Sequence, residues 1–260
     1  SLHEDGIYLD GTVGGAGHSS AIASHLSSGM LIALDRDDTA IAVARERLSV
    51  FGDRTKVIEA NFSEMASVVR QLGVGALDGI LLDLGVSSHQ LDTPERGFSY
   101  NSDARLDMRM NQQQELSART IVNEYPYEEL VKILFRYGED PFSKQIARSI
   151  ERNREIKPIE TTFELVEVIK QALPSKILRQ KGHPAKQTFQ ALRIAVNDEL
   201  RVFETSINDA LDMMNKGGRA TVITFHSLED RICKNVFKDR STIDIPKGVP
   251  MIINQEAPFT

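Results

Sequence analysis

From Ile7 to Asp83, short apolar runs alternate with stretches in which apolar residues return every three or four positions. Ile7-Tyr8-Leu9 predicts a first strand and Gly11 to Gly17 its turn, with His18 to Leu26 continuing as a helix. Met30 to Leu34 predicts a second strand ending at Asp35, after which Ile41, Ala44, Arg45 and Leu48 fall at helical spacing. Lys56-Val57-Ile58 is a third strand followed by Asn61-Phe62, and a helix is expected over about Ser63 to Leu72. Leu77 to Leu82, apolar apart from Asp78 and Gly79, reads as a strand buried on both faces and ends at Asp83. This alternation predicts strand–helix crossover units building a parallel sheet.

The rhythm then breaks. Between about Asp92 and Arg193 the pattern is helical, with almost no strand signal. Leu130, Val131, Leu134 and Phe135 share one face of a helix over Tyr127 to Tyr137, with Gly138 as its expected stop. Pro141 to Asn153 predicts a second helix, and Thr161-Thr162-Phe163-Glu164 a capping box opening a third that Pro174 terminates. A helix over about Asp198 to Met214, closed by Asn215-Lys216-Gly217-Gly218, leads back to a fifth strand, Ala220 to Phe225. Ser227 is the expected cap of a following helix, and Thr242 to Ile245 a late edge strand. The organisation expected is an α/β core in two parts, residues 1–92 and 194–260, with an all-helical insertion at 93–193.

Composition narrows the class. The 260 residues are 41% apolar and 26% charged, which excludes disorder and fibre. A chain of this length buries roughly 70 to 75% of its unfolded surface and needs no disulfides. The single Cys233 supports neither an internal bridge nor a multi-thiolate metal site, so a reducing compartment is expected and no metal. Neither a run of eighteen apolar residues nor a basic-then-apolar leader is seen, so no membrane span or secretion signal is expected and the location read is cytoplasmic. A net charge of −6 repels nucleic acid as a whole, and any polyanionic partner must meet a local patch.

Candidate chemistry concentrates in Asp10-Gly11-Thr12-Val13-Gly14-Gly15-Ala16-Gly17-His18, a strand, a glycine-dense turn and a helix start in succession. Glycines admit close ligand approach and a helix start offers unpaired N–H groups, which suits a nucleotide-like cofactor. Asp35 closes the second strand, where a ribose hydroxyl pair sits in nucleotide-binding sheets. The dinucleotide fingerprint fails at its third glycine, since Gly15-Ala16-Gly17 is followed by Ser20. Asp10 before the glycines and Asp83 at the end of the fourth strand fit the layout of S-adenosylmethionine-dependent methyltransferases better. A nicotinamide-dependent oxidoreductase and a non-catalytic RNA-binding protein remain the rival readings.

Two longer segments, Leu81-Leu82-Asp83-Leu84-Gly85-Val86-Ser87-Ser88-His89-Gln90-Leu91 and Ile223-Thr224-Phe225-His226-Ser227-Leu228-Glu229-Asp230-Arg231, make the chain resemble the MraW/RsmH family of small-subunit ribosomal RNA cytosine-N4 methyltransferases. The resemblance extends through Glu95 to Ser99, Leu106 to Met110, His183-Pro184-Ala185 and Thr188 to Ile194, nearly the whole chain. It implies a Rossmann-like class I S-adenosylmethionine-dependent methyltransferase sheet with an inserted all-helical domain, and as acceptor the N4 amine of a cytidine in the decoding region of 16S rRNA, within the small subunit. Carried over by motif position, Ala16, Gly17, His18, Asp35, Phe62, Asp83 and Gln90 are the implied cofactor contacts. Phe62 serves equally well as an adenine cover or a core aromatic, and Gln90 rests on the resemblance alone.

For the reaction itself, ring-carbon methylation needs a thiolate, and the only thiol lies beyond the fifth strand. An exocyclic amine needs no covalent intermediate. Asp83, with Ser87 and Ser88 beyond it, is therefore the catalytic candidate that orients the amine, with cofactor binding as the other role open to Asp83. The loop sequence Asp83-Leu84-Gly85-Val86 departs from the Asp/Asn/Ser-Pro-Pro-aromatic loop of many DNA amino-methyltransferases. For RNA, the stretch Val168 to Asn197 holds no acid but six cations, Lys170, Lys176, Arg179, Lys181, Lys186 and Arg193. Of these, Lys176, Arg179, Lys181, Lys186 and Arg193 are the candidate phosphate contacts. Phe98, Tyr100 and Phe189 are candidates either to stack on a base or simply to pack.

Overall fold

The computed structural model describes residues 2–242 and 259. The chain divides into two compact units, Ser1–Gly85 with Leu200–Thr260, and Val86–Glu199.

The first unit contains β1 (Ile7–Asp10), α1 (Gly17–Ser24), β2 (Met30–Asp35), α2 (Asp38–Leu48), β3 (Thr55–Glu59), α3 (Met65–Gln71) and β4 (Leu77–Asp83). All strands pair in parallel. Period-two alternation with both faces apolar explains the sheet. Leu9, Ile32, Leu34, Ile80 and Leu82 face one cluster, into which α3 inserts Met65, Val68 and Val69. Leu31 and Ala33 face the other side, covered by Ala23 of α1 and by Ile41, Ala44 and Leu48 of α2. Fully burying each large aliphatic chain contributes about 1.5–3 kcal/mol, so two covered faces hold the layers together.

The second unit is helical: α4 (Ser88–Asp92), α5 (Ala118–Glu124), α6 (Tyr127–Gly138), α7 (Ser143–Ile156), α8 (Thr162–Ala172), α9 (Ser175–Leu178) and α10 (Lys186–Asn197). Its core, from Phe98 to Val196, is drawn from its own residues. The capping box opening α8 is complete, with Thr161 Oγ1 accepting from the Glu164 N–H and the Glu164 carboxylate from the Thr161 N–H. Gly138 ends α6 for a different reason than expected. The left-handed residue is Glu139 (φ 49°), while a Cβ on Gly138 would stand 2.9 Å from the Gln187 carbonyl of α10, a close approach that only glycine permits.

The Leu106 to Met110 segment is a structural clamp. Met108 adopts φ 62°, held on both sides by buried Asn197, which donates to the Met108 carbonyl (2.8 Å) and accepts from the Met110 N–H (2.9 Å). The Arg96 guanidinium donates to the carbonyls of Arg109 and Met110, and Asp107 takes a forked pair of bonds from Arg109 at 2.8 Å. Phe98 and Phe189 are buried in the core, which settles their choice in favour of packing. Tyr100 stacks on His183 with ring centroids 4.3 Å apart.

The chain completes the first unit with α11 (Glu199–Asp212), β5 (Met214–Ile223) and α12 (Ser227–Arg240). Phe203, Ile207, Ala210 and Leu211 of α11 join the Leu9 cluster. The sheet order is β3-β2-β1-β4-β5, reversing direction between β1 and β4, where such sheets open a ligand crevice. Asn215 to Gly218, expected as a helix-ending loop, is instead a bulge inside β5: Leu77 pairs with Met214 but Gly79 with Arg219. Asp78 explains why a polar residue interrupts β4, since its carboxylate accepts from the Ile7 N–H and the Asn215 amide, both at 2.8 Å. The cap of α12 is His226 rather than Ser227. Beyond Thr242, the expected edge strand lies outside the described residues. Among the described residues no helix is long and apolar enough to cross a membrane.

Candidate active site

The carboxyl ends of β1, β2 and β4 bring Asp10, Asp35 and Asp83 around the glycine loop. Asp10 is buried; it accepts from Ser19 Oγ (2.7 Å) and the Thr12 N–H (3.0 Å). Burial pushes its carboxyl above the ordinary range, with the two hydrogen bonds pulling back. Thr12 Oγ1 in turn accepts from the Asp83 N–H at 2.7 Å, tying the loop to the end of β4. Asp10 is therefore an anchor of the loop.

Asp35 holds the loop from the β2 side. Its Oδ2 accepts from the Gly14 N–H (2.9 Å) and its Oδ1 from the Asp37 N–H (3.0 Å), and burial also raises its pKa. Of the loop glycines only Gly14 takes a positive φ, 46°; the left-handed residue that opens α1 is Ala16, at 59°. A Cβ on Gly17 would meet nothing within 4 Å, so open space lies at the start of α1. The Arg47 guanidinium of α2 donates to the Gly15 carbonyl at 2.6 Å.

His18, one residue into α1, places Nε2 at 3.5 Å from Asp83 Oδ2. The other oxygen, Oδ1, is buried, and no donor among the described residues reaches it. Phe62 follows β3 as a half-buried ring packed against the Leu9 cluster, its Cβ 3.1 Å from where a side chain on Gly11 would begin. Phe225, just past β5, is 68% exposed, and its ring lies 3.5 Å from where a Cβ on Gly85 would stand. Its backbone is pinned, because the Phe225 N–H donates to Glu229 Oε2 at 2.8 Å.

The remaining candidates lie in the helical unit. Ser87 and Gln90 form a reciprocal cap on α4: Ser87 Oγ accepts from the Gln90 N–H (3.2 Å) and Gln90 Oε1 from the Ser87 N–H (3.1 Å). The side chain of Ser88 lies outside the described residues. Lys176, Arg179, Lys181 and Lys186 are exposed and make no ion pair among the described residues. Arg193 differs from them. Its side chain is 16% exposed and makes a forked pair with Glu199, both bonds at 2.9 Å, so it is committed to the fold.

Sequence reasoning missed Thr12, Ser19, Arg47 and Phe225. Ser87-Ser88-His89-Gln90 carries a visible S-x-x-Q capping signal, and Phe225 stands in a segment already singled out. Arg47 carries no signal in the sequence, because its partner is a carbonyl that any residue would supply.

An open parallel sheet whose strand order reverses between β1 and β4, with a tight loop after β1 and acids at the tips of β2 and β4, defines a Rossmann-like α/β protein with its ligand crevice at the carboxyl ends of the strands. The chain belongs to the MraW methylase family, whose model matches residues 1–259. It is 57% identical over 259 residues to the ribosomal RNA small subunit methyltransferase H of Exiguobacterium sibiricum, covering 99% of this chain and 83% of that protein. Solved structures resembling it include a putative rRNA-methylase from Clostridium thermocellum (21% identity, 33% of this chain and 46% of that one, TM-score 0.30). Another is an rRNA methylase from Streptococcus thermophilus (21% identity, 40% of this chain and 61% of that one, TM-score 0.28).

Membership in a methylase family sets aside the nicotinamide-dependent oxidoreductase, and the methyl donor is S-adenosylmethionine. The residues fit that molecule. Open space at Gly17 would accommodate its amino-acid end, and Asp35 keeps lone pairs for a hydroxyl pair.

Proposed function

We propose that the protein methylates the exocyclic N4 amine of a cytidine in the decoding region of 16S rRNA, with S-adenosylmethionine as donor, Ala16, Gly17, His18, Asp35, Phe62 and Asp83 as its contacts, and the small ribosomal subunit in the cytoplasm as substrate; Gln90, buried with its side-chain oxygen capping α4, is not among them. The observation that carries this reading is Asp83: a carboxylate at the tip of β4 with one buried oxygen lacking a donor and the other beside His18. An unsatisfied buried acceptor costs about 1–3 kcal/mol, which an N–H group entering the site removes.

When bound, S-adenosylmethionine supplies an electrophilic methyl group on a sulfonium. The protein's own part is placement. Aligning two bound reactants contributes about 7–11 kcal/mol, against roughly 3–5 for a general base, so an acceptor that orients an amine outweighs one that only takes its proton. Ser87 is engaged in capping α4, and the amine is assigned to Asp83, with Ser88 as the further catalytic candidate. Ring-carbon chemistry finds no nucleophile, since burial raises the pKa of Cys233 and disfavours its thiolate. Phe225 offers its exposed face to the base, and the exposed cations Lys176, Arg179, Lys181 and Lys186 supply the local patch that a −6 molecule needs to hold RNA.

The test is digestion of 16S rRNA and of small subunits after incubation with the protein and tritiated S-adenosylmethionine, followed by identification of the labelled nucleoside. N4-methylcytidine is the expected product. A label in a different nucleoside overturns the acceptor assignment, and RNA binding without any transfer favours a non-catalytic RNA-binding protein that keeps the fold.

A further inference from the structure

A second cationic feature stands on α7. Lys144, Arg148 and Arg152 are exposed and recur at every fourth residue, which aligns them as a ridge along one side of the helix. Gln145, Ser149 and Asn153 follow the same spacing and form the adjacent ridge. With Gln171 and Ala172 at the end of α8, these side chains line a groove of about 520 Å³ that no carboxylate lines.

The floor of the groove is fixed and its ends are free. Ser149 Oγ donates to the Val168 carbonyl at 2.8 Å, and Asn153 Nδ2 to Gln171 Oε1 at 3.3 Å, which leaves the Gln171 amide hydrogens as donors. The Arg148 guanidinium lies 4.1 Å over the Tyr127 ring and pairs with Glu151 on the flank. Lys144 and Arg152 make no ion pair among the described residues. Eight residues of helix separate them, about 12 Å.

We propose that this groove binds the sugar-phosphate backbone of a single RNA strand, as a contact additional to the cations of residues 176–186. Lys144 and Arg152, without an ion pair among the described residues and about 12 Å apart along a trough that no carboxylate lines, match two phosphates of one strand. The amide and hydroxyl row suits ribose hydroxyls, no aromatic side chain is among the lining residues, and the face of nearby Tyr127 is taken by Arg148, so the contact holds the strand without reading bases. The proposal rests on the reading of the protein as an RNA methylase.

Binding of a 16S rRNA transcript to the full chain is to be measured across a salt series, for the wild type and for Lys144→Gln combined with Arg152→Gln. Each single-strand phosphate contact contributes about 0.7 to the slope of log affinity against log salt, so the slope should fall by about 1.4, with S-adenosylmethionine affinity and melting temperature unchanged. The charge-conserving pair Lys144→Arg with Arg152→Lys should keep the wild-type slope. An unchanged slope in the neutralised variant, with a wild type that binds normally, overturns the groove alone. A wild type without salt-dependent RNA binding overturns both the groove and the function it rests on.

Discussion

The two acids at the tips of β1 and β2 are held in opposition to their own charge. Burial raises the pKa of Asp10 above its ordinary 3.8. The folded chain therefore keeps this proton to higher pH than the unfolded chain, and the stability associated with it is present below that value and lost as pH rises through the folded pKa. Asp10→Asn should melt higher than the wild type in buffer above the raised pKa, with the gap closing in more acid buffer. Asparagine keeps an acceptor for the Thr12 N–H while removing the buried charge, and thermal melts of both proteins in the two buffers check this. At the acceptor side, base–aromatic stacking contributes about 1–3 kcal/mol per base, so Phe225→Ala should lower methyl transfer to RNA by about 5- to 150-fold while leaving S-adenosylmethionine affinity intact. Steady-state assays together with calorimetry measure both quantities, and Phe225→Trp should retain transfer. Asp10, Asp35 and Asp83 were legible because strand-end acids beside a glycine loop are a sequence pattern. Phe225 was not singled out, since an aromatic ending an apolar run reads as core until its exposure is seen.

The elements were read from periodicity, and they were read best where periodicity alone decides them. β2 spans Met30–Asp35, as its apolar run dictates, and the helix expected from Tyr127 occupies Tyr127–Gly138. Failures occur where a long-range partner overrides the local signal. Asn215-Lys216-Gly217-Gly218 has the composition of a loop, yet pairing with β4 continues on either side of it and turns it into a bulge. His226 displaces Ser227 at the start of α12 because the cap depends on where the backbone turns, one residue before the hydroxyl. Thr161 is the case in which the signal and the structure coincide. Thr161→Ala removes its half of the cap on α8 and should cost about 1 kcal/mol, read as a shift of the urea midpoint without a change in slope.

Across the whole molecule, charge is divided unevenly. An acidic total coexists with an acid-free stretch from Val168 to Asn197. Reversing Lys181 and Lys186 to Glu should weaken RNA binding steeply at low salt and little at high salt, leaving donor affinity alone; filter binding over a salt series with parallel calorimetry separates these outcomes, and equal losses of both ligands would mean that the segment is structural. Arg193 lies outside this group: its pairing with Glu199 joins residues that only the folded chain brings into fork geometry, which spacing does not announce. The parallel sheet is also interrupted in sequence, for β4 closes at Asp83 while its neighbour β5 begins at Met214. During synthesis the ribosome therefore emits every residue of the helical unit before the last strand of the sheet exists. The helices, whose buried core residues all lie within 98–196 among the described residues, can condense first. The unfinished sheet must meanwhile wait with one flank of β4 unzipped, and that interval is the point in the life of the chain at which a chaperone has most to shield.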